Sequence, residues 1–343
     1  MKKIYEIGSE FSDYMSKEGL GFKIPENISD YAFTFSGRTA IEVVLRNLPN
    51  VKKALLPSYC CDSMIQPFHY LNIKVYFYNV NYNGKLTIDI DIPNDIDLLL
   101  WCNFFGYKVN MPNFDYFIKR GGIIIEDITH SLFSIKKYDN QSHFIVASLR
   151  KWGPLFCGGF CASKNLFLKY KELSQPPFFF LNQKKKAMSL KENFLKNENY
   201  VIKEQYMSLF NDCNKWLSLN YSNLTIDEES YKYLFRTDCG KIRKKRIANA
   251  RRLHIGLQDC IDIQMLFNYE DIDCPIFVPI IIKNGKRDVY RKKLILNQIY
   301  CPIHWPHPNS ECESNLYDLE LSLICDQRYT EKDMDNIITL LTE

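Results

Sequence analysis

Two stretches decide how this chain folds: Gly122-Ile123-Ile124-Ile125-Glu126-Asp127-Ile128-Thr129-His130-Ser131 and His143-Phe144-Ile145-Val146-Ala147-Ser148-Leu149-Arg150-Lys151-Trp152. Each is an apolar run that ends in a polar cluster. A parallel strand covered on both faces has this composition, and α/β folds place ligands at the C-terminal ends of such strands. Glu126 and Asp127 are consecutive, so on a strand they leave on opposite sides and only one can face a given site. The second run ends in Lys151, followed by Trp152-Gly153-Pro154-Leu155 and then Cys157-Gly158-Gly159-Phe160. Arg150-Lys151 alone would read as a surface pair. The strand-like run before it and the glycine pair after it argue for a site.

An acid and an amine at neighbouring strand ends suit pyridoxal phosphate (PLP). The amine condenses with the aldehyde, and the acid keeps the pyridine nitrogen protonated so that the ring acts as an electron sink. The chain upstream offers a place for the phosphate. Tyr31–Phe35 reads as a strand, Ser36-Gly37-Arg38-Thr39 as a turn, and Ala40–Leu48 as a helix with Ile41, Val44, Leu45 and Leu48 on one face. Amides at such a helix start point at an anion, and Gly37 lets the backbone come close. Alone, the turn reads as an N-cap by Ser36 or Thr39. With Asp127 and Lys151 in the same chain, a phosphate cradle is the better reading.

These pieces together resemble the sugar aminotransferases of the DegT/DnrJ/EryC1/StrS family, which are fold-type I PLP enzymes. Glu126–Ser131 looks like the family's acid-containing piece. Ser148–Trp152 with Gly158-Gly159 looks like its lysine segment, with Gly158 at the family's distance from Lys151. Ser36–Ile41 resembles its phosphate loop, and Leu56-Pro57-Ser58-Tyr59-Cys60 its Val-Pro-Ser/Ala-Tyr piece. The likeness covers Phe33–Gly159 well and the C-terminal third loosely. It implies an α/β architecture of fold-type I: a large domain, residues 1–244, with a mainly parallel seven-stranded-type sheet between helices and the N-terminal segment packed on it. A small C-terminal α+β domain, 245–343, would follow.

The resemblance also implies roles. Lys151 and Asp127 become the catalytic pair. Gly37, Arg38, Thr39, Asn103, Asp127, His130 and Ser148 become cofactor contacts, with His130 donating to the phenolic oxygen. Where the family stacks an aromatic on the ring, the aligned residue is Cys61; Tyr59 or Trp101 is the alternative ring face. Arg38 stands where the family has Thr or Ala, and either reaches an anionic substrate or faces solvent. Ser148 lies closer to the lysine than in many relatives. The implied reaction is amino transfer to a keto-sugar nucleotide from an amino acid such as glutamate, in surface-polysaccharide or secondary-metabolite biosynthesis. A homodimer is implied too, although the family's Asn-Tyr-Arg-like loop to the partner's phosphate has no counterpart here. Two other readings stay open: a PLP lyase, decarboxylase or dehydratase, and a cofactor-binding protein without catalysis.

The rest of the chain narrows the class. Its 343 residues are 46% hydrophobic and 24% charged with a net charge of +4, which is ordinary for a globular protein and does not argue for nucleic acid. Met1-Lys2-Lys3-Ile4-Tyr5-Glu6 has no apolar run behind it, so no signal peptide is expected, nor a membrane partner, and the expected location is the cytoplasm. Twelve cysteines without a Cys-x-x-Cys pair read as free thiols and not as zinc ligands. Lys184-Lys185-Lys186 and the basic run Lys241–Arg252 read as solvated faces. In the C-terminal part, Cys274–Lys283 and Leu319–Cys325 read as strands, and Asp288–Asn297 and Thr330–Leu341 as helices. His304-Trp305-Pro306-His307 is a rigid loop; two histidines without nearby acids are poor metal evidence, so His304 and Trp305 are expected to face substrate. Arg328 either pairs with a substrate carboxylate or lies on the surface.

Overall fold

The computed structural model describes residues 6–12, 19–135, 138–197, 199–236, 239–308 and 312–343; residues 1–5, on which the signal-peptide reading rests, lie outside them. In chain order the elements are β1 (Ile7–Gly8), β2 (Asp30–Thr34), α1 (Gly37–Arg46), β3 (Lys53–Pro57), α2 (Asp62–Tyr70), β4 (Lys74–Tyr82) and β5 (Leu86–Asp89). Then come β6 (Leu98–Cys102), α3 (Asp115–Lys119), β7 (Ile123–Asp127), β8 (Phe144–Ser148), a 3-10 turn Leu149–Lys151 and β9 (Gly159–Ser163). Four helices follow: α4 (Phe178–Asn197), α5 (Tyr200–Leu219), α6 (Glu228–Leu234) and α7 (Cys239–Leu257). The chain closes with β10 (Ile263–Met265), β11 (Phe277–Ile282), α8 (Arg287–Leu296), β12 (Ile299–Tyr300), α9 (Leu316–Leu319), β13 (Glu320–Ile324) and α10 (Glu331–Thr342).

The large sheet has eight strands in the order β2-β9-β8-β7-β6-β3-β4-β5. β8, β7, β6, β3 and β4 run parallel. β9 is antiparallel to both β8 and β2, and β5 folds back on β4. The expected seven-stranded arrangement is therefore present, with β5 added as a hairpin strand at the edge. Every residue of β6, β8 and β9 is buried. That is why these runs are continuously apolar: each buried Leu, Ile or Phe contributes about 1.5–3 kcal/mol. α1 buries Ala40, Ile41, Val43, Val44 and Leu45 and packs against β8, β9 and α2.

The C-terminal part is α+β as expected. β10, β11 and β13 form an antiparallel sheet, with α7, α8 and α10 packed against its strands or one another. α7 runs unbroken through residues 244 and 245. One apolar cluster joins the large sheet, through Leu55 and Leu99, to the small one, through Val278 and Leu323.

Two basic segments differ from expectation. Lys184 is buried, over the Phe210 ring and 3.2 Å from Glu10, while Lys185 and Lys186 are exposed. With Lys191 and Lys203, each 3.0 Å from Glu6, it fastens the N-terminal arm to α4 and α5. In the run Lys241–Arg252, Arg246 is 1% exposed, donates to the carbonyls of Pro275 and Ile276, and lies over Trp152. A long side chain can be drawn in this way only when tertiary neighbours supply acceptors. All twelve cysteines are free, nine of them buried. Among the described residues no helix is long and apolar enough to cross a membrane, and no His, Cys, Asp and Glu group is arranged to hold a metal ion.

Candidate active site

The ends of β7 and β8 and the start of α1 surround a cavity that opens to solvent. Asp127 reaches it from the last position of β7, and Lys151 from the 3-10 turn that follows β8. Gly37, Arg38, Cys61, His130, Ser148 and Trp305 line the same space. Residues far apart in the chain thus meet at the position where parallel sheets hold ligands.

Alternation along β7 sends Asp127 into this cavity and Glu126 into a second one on the other side of the strand. Asp127 accepts the Thr129 N–H at 2.8 Å, and burial raises its carboxyl above the usual range against that bond and the charge of Lys151. Thr129 also ties the two strand ends together. Its hydroxyl accepts the Ser148 N–H at 2.9 Å and its carbonyl accepts the Trp152 indole N–H at 2.7 Å. Gln327 holds the Trp152 carbonyl from the far side at 2.7 Å and accepts from Arg246 at 2.9 Å. The lysine turn is therefore braced from β7 and from the C-terminal unit. Lys151 itself makes no side-chain hydrogen bond or ion pair among the described residues.

His130 accepts the Phe105 N–H on Nδ1 at 3.2 Å. Burial, then the charges of Lys151 and His304, hold its pKa well below the ordinary value. The ring is thus neutral with its hydrogen on Nε2, a donor. It stacks on Trp305 at 5.6 Å and 21°. Gly37 sits where a Cβ would come within 3.1 Å of Ser148 Cβ, so a side chain there would crowd the cradle. Cys61 is half-buried, with Sγ 2.8 Å from Ser63 Oγ.

Several of the expected contacts lie elsewhere. The Thr39 hydroxyl donates to the Tyr221 carbonyl at 2.7 Å, and its amide is capped by Ser36; Thr39 serves α1, in line with the N-cap alternative. Tyr59 is 0% exposed among Phe104, Trp305 and Tyr317, and so supplies no ring face to the cavity; Trp101, 1% exposed, is buried likewise. Asn103 faces the second cavity, where its amide donates to Glu126 at 2.7 Å and accepts from Trp101. His304 is buried against His130 and Phe277, with Nδ1 2.7 Å from Ser322 Oγ. Arg328 pairs with Asp326 at 2.8 Å and donates to the carbonyls of Gly8, Ser9 and Glu10; it secures the N-terminal arm. The cavity also holds Arg150, the neighbour of Lys151 in the sequence, and two residues that the sequence did not single out, Cys102 and Leu217. No local pattern marks Cys102 and Leu217, because only the packing of α5 and the strand ends brings them in.

No protein-family model matches the chain, and no curated protein matches it in sequence. Solved structures do match in fold. Spr1654 of Streptococcus pneumoniae, assigned as a sugar aminotransferase and solved in its PLP form, superposes with a TM-score of 0.65 at 12% identity, over 98% of both chains. DesI, solved with its TDP-sugar product, gives 0.62 at 11% identity, over 92% of this chain and 80% of that one. A DegT DnrJ EryC1 StrS aminotransferase from Brucella abortus gives 0.55 at 14%, over 92% and 85%. The chain has the fold-type I aminotransferase fold along nearly its whole length.

Proposed function

We propose that the chain is a PLP-dependent sugar aminotransferase of the DegT/DnrJ/EryC1/StrS kind. The observation that carries the reading is the meeting of Lys151 and Asp127 in one cavity at the start of α1. The residues present fit the cofactor. A buried carboxylate shares the space with an amine that has no partner among the described residues, and the Nε atoms of Arg38 and Arg150 are buried without acceptors. At Gly37 a Cβ would press on Ser148, 3.1 Å away.

When bound, PLP supplies the electron sink that stabilises charge at the substrate carbon. Lys151 would hold the cofactor and then carry the proton to and from that carbon. Asp127 would keep the pyridine nitrogen protonated; meeting that positive charge favours its ionised form and offsets the effect of burial. His130, with Nε2–H free to donate, would hold the phenolic oxygen. Trp305, stacked on His130, would exclude water from one wall. With Tyr59 and Trp101 both in the core, Cys61 is the candidate for the ring face.

The finer reading is amino transfer to a keto-sugar nucleotide with glutamate or a similar donor, by a cytoplasmic homodimer, in surface-polysaccharide or secondary-metabolite assembly. The family likeness supports it, as does the TDP-sugar product in DesI. The test is direct. The full chain is incubated with PLP and reduced with borohydride, and peptide mapping is expected to place the cofactor on Lys151. An adduct on another lysine would overturn the assignment. A glutamate half-reaction yielding pyridoxamine phosphate separates transfer from lyase chemistry and from a non-catalytic binder.

A further inference from the structure

Arg38 and Arg150 enter the cavity from different elements, α1 and the turn before Lys151. Neither guanidinium makes a hydrogen bond or an ion pair among the described residues, and the Nε of each is shielded from solvent. Burial and then the charge of Arg150 pull the Arg38 pKa below its ordinary value. Asp62 at the start of α2 acts on Arg38 and Glu10 on Arg150, but only through charge. Glu10 is paired with Lys184 at 3.2 Å. The two guanidinium groups share the cavity with Lys151 and Asp127, and no carboxylate among the described residues pairs with either of them.

The neighbouring hydroxyls do not take their place. Thr39 is committed to the Tyr221 carbonyl, and Ser36 Oγ accepts the Thr39 N–H at 3.3 Å. On the side of the cavity at the start of α1, Gly37 and Ser148 line it together with the two arginines. A carboxylate carries charge for one arginine. A phosphate monoester carries charge for two and has oxygens enough to meet both planar forks.

We propose that Arg38 and Arg150 form a two-guanidinium clamp for a phosphate dianion, so that both balancing charges come from a single chain. On the function proposed above, on which the identity of the ester rests, the dianion is the PLP phosphate; free phosphate has the same chemistry. The clamp accounts for an arginine at the position where relatives carry Thr or Ala. It also accounts for the missing loop that would reach a partner's phosphate.

The experiment uses the full chain freed of cofactor, as wild type, Arg38→Gln, Arg150→Gln, Arg38→Lys and the double glutamine variant. Each is titrated with PLP by its absorbance, with pyridoxal, which lacks the phosphate, and with inorganic phosphate by melting temperature. Each glutamine variant is expected to lose about tenfold to a hundredfold in PLP affinity, and the double variant more. Pyridoxal affinity should stay within about twofold, and Arg38→Lys should fall between. Inorganic phosphate should raise the melting temperature of the wild type and not of the double variant. Without ligand, the glutamine variants should melt no lower than wild type, because a repulsion has been removed. PLP affinity unchanged in both single variants, or pyridoxal weakened as much as PLP, overturns the clamp. If inorganic phosphate binds through the pair while PLP forms no adduct at Lys151, the clamp stands and the proposed function fails.

Discussion

Glu126 and Asp127 sit side by side at the end of β7, 2% and 7% exposed. Glu126 accepts from Asn103 and the Asp139 N–H, each at 2.7 Å, and from the Ser142 hydroxyl. Among the described residues, Asp127 accepts only from Thr129. Burial raises the pKa of both. With three donors, Glu126 plays a structural role and ties β7 to the loop before β8. Asp127 keeps acceptor capacity and faces the lysine. On the function proposed above, the contrast means that a buried carboxylate becomes available for chemistry by being left under-satisfied. Which of two neighbours is left so depends on the one-residue alternation of the strand.

The largest expected effect breaks or keeps that contrast. Asp127→Asn should lower turnover by at least about a hundredfold while retaining much of the cofactor affinity, since a preorganised charge on the ring nitrogen is removed. Glu126→Gln should leave turnover within a few-fold and lower stability by roughly 1–3 kcal/mol, because its new amide meets donors. Steady-state kinetics and urea unfolding of the pair read both. Near-normal turnover in the aspartate variant with loss in the glutamate variant would exchange their roles.

A third buried carboxylate, Glu320, sharpens the comparison. It accepts the His304 N–H at 2.8 Å and the Ser322 hydroxyl, and burial pushes its pKa up to about 8. A folded pKa above the ordinary value of 4.5 means that its contribution is fully present below about pH 4.5 and is lost as pH rises through about 8. Glu320→Gln cannot ionise. Its stability relative to wild type should therefore rise between those pH values, by a few kcal/mol in all. Melting curves across that range test it, and a flat difference would mean that Glu320 does not titrate there.

The smallest effect concerns Thr39. Its hydroxyl serves the Tyr221 carbonyl and not the cavity. Thr39→Val should lower stability by roughly 1–2 kcal/mol and leave PLP affinity within about twofold. A tenfold loss in affinity would return Thr39 to the phosphate cradle.

Local patterns in the chain encode its strands and much of the candidate site. Runs such as Ile123–Ile125 and Phe144–Ala147 must be buried strands, and their polar ends must collect at one edge of the sheet. Helical spacing places α1, α8 and α10 to within a few residues. Asp127, Lys151, Gly37 and Ser148 are legible for the same reason, since each follows or opens an element whose period the sequence shows. Which polar side chains are spent inside the fold is settled only by tertiary packing. Tyr59 is enclosed by aromatic rings from three distant segments, Asn103 is held by Glu126, and Arg328 by the N-terminal arm. Lys184 and Arg246 look like surface residues in any window of sequence, yet they are buried because remote acceptors meet them. The facing of Arg38 and Arg150 belongs to the same class. A polar group's environment is set by partners far along the chain, and no periodicity records them.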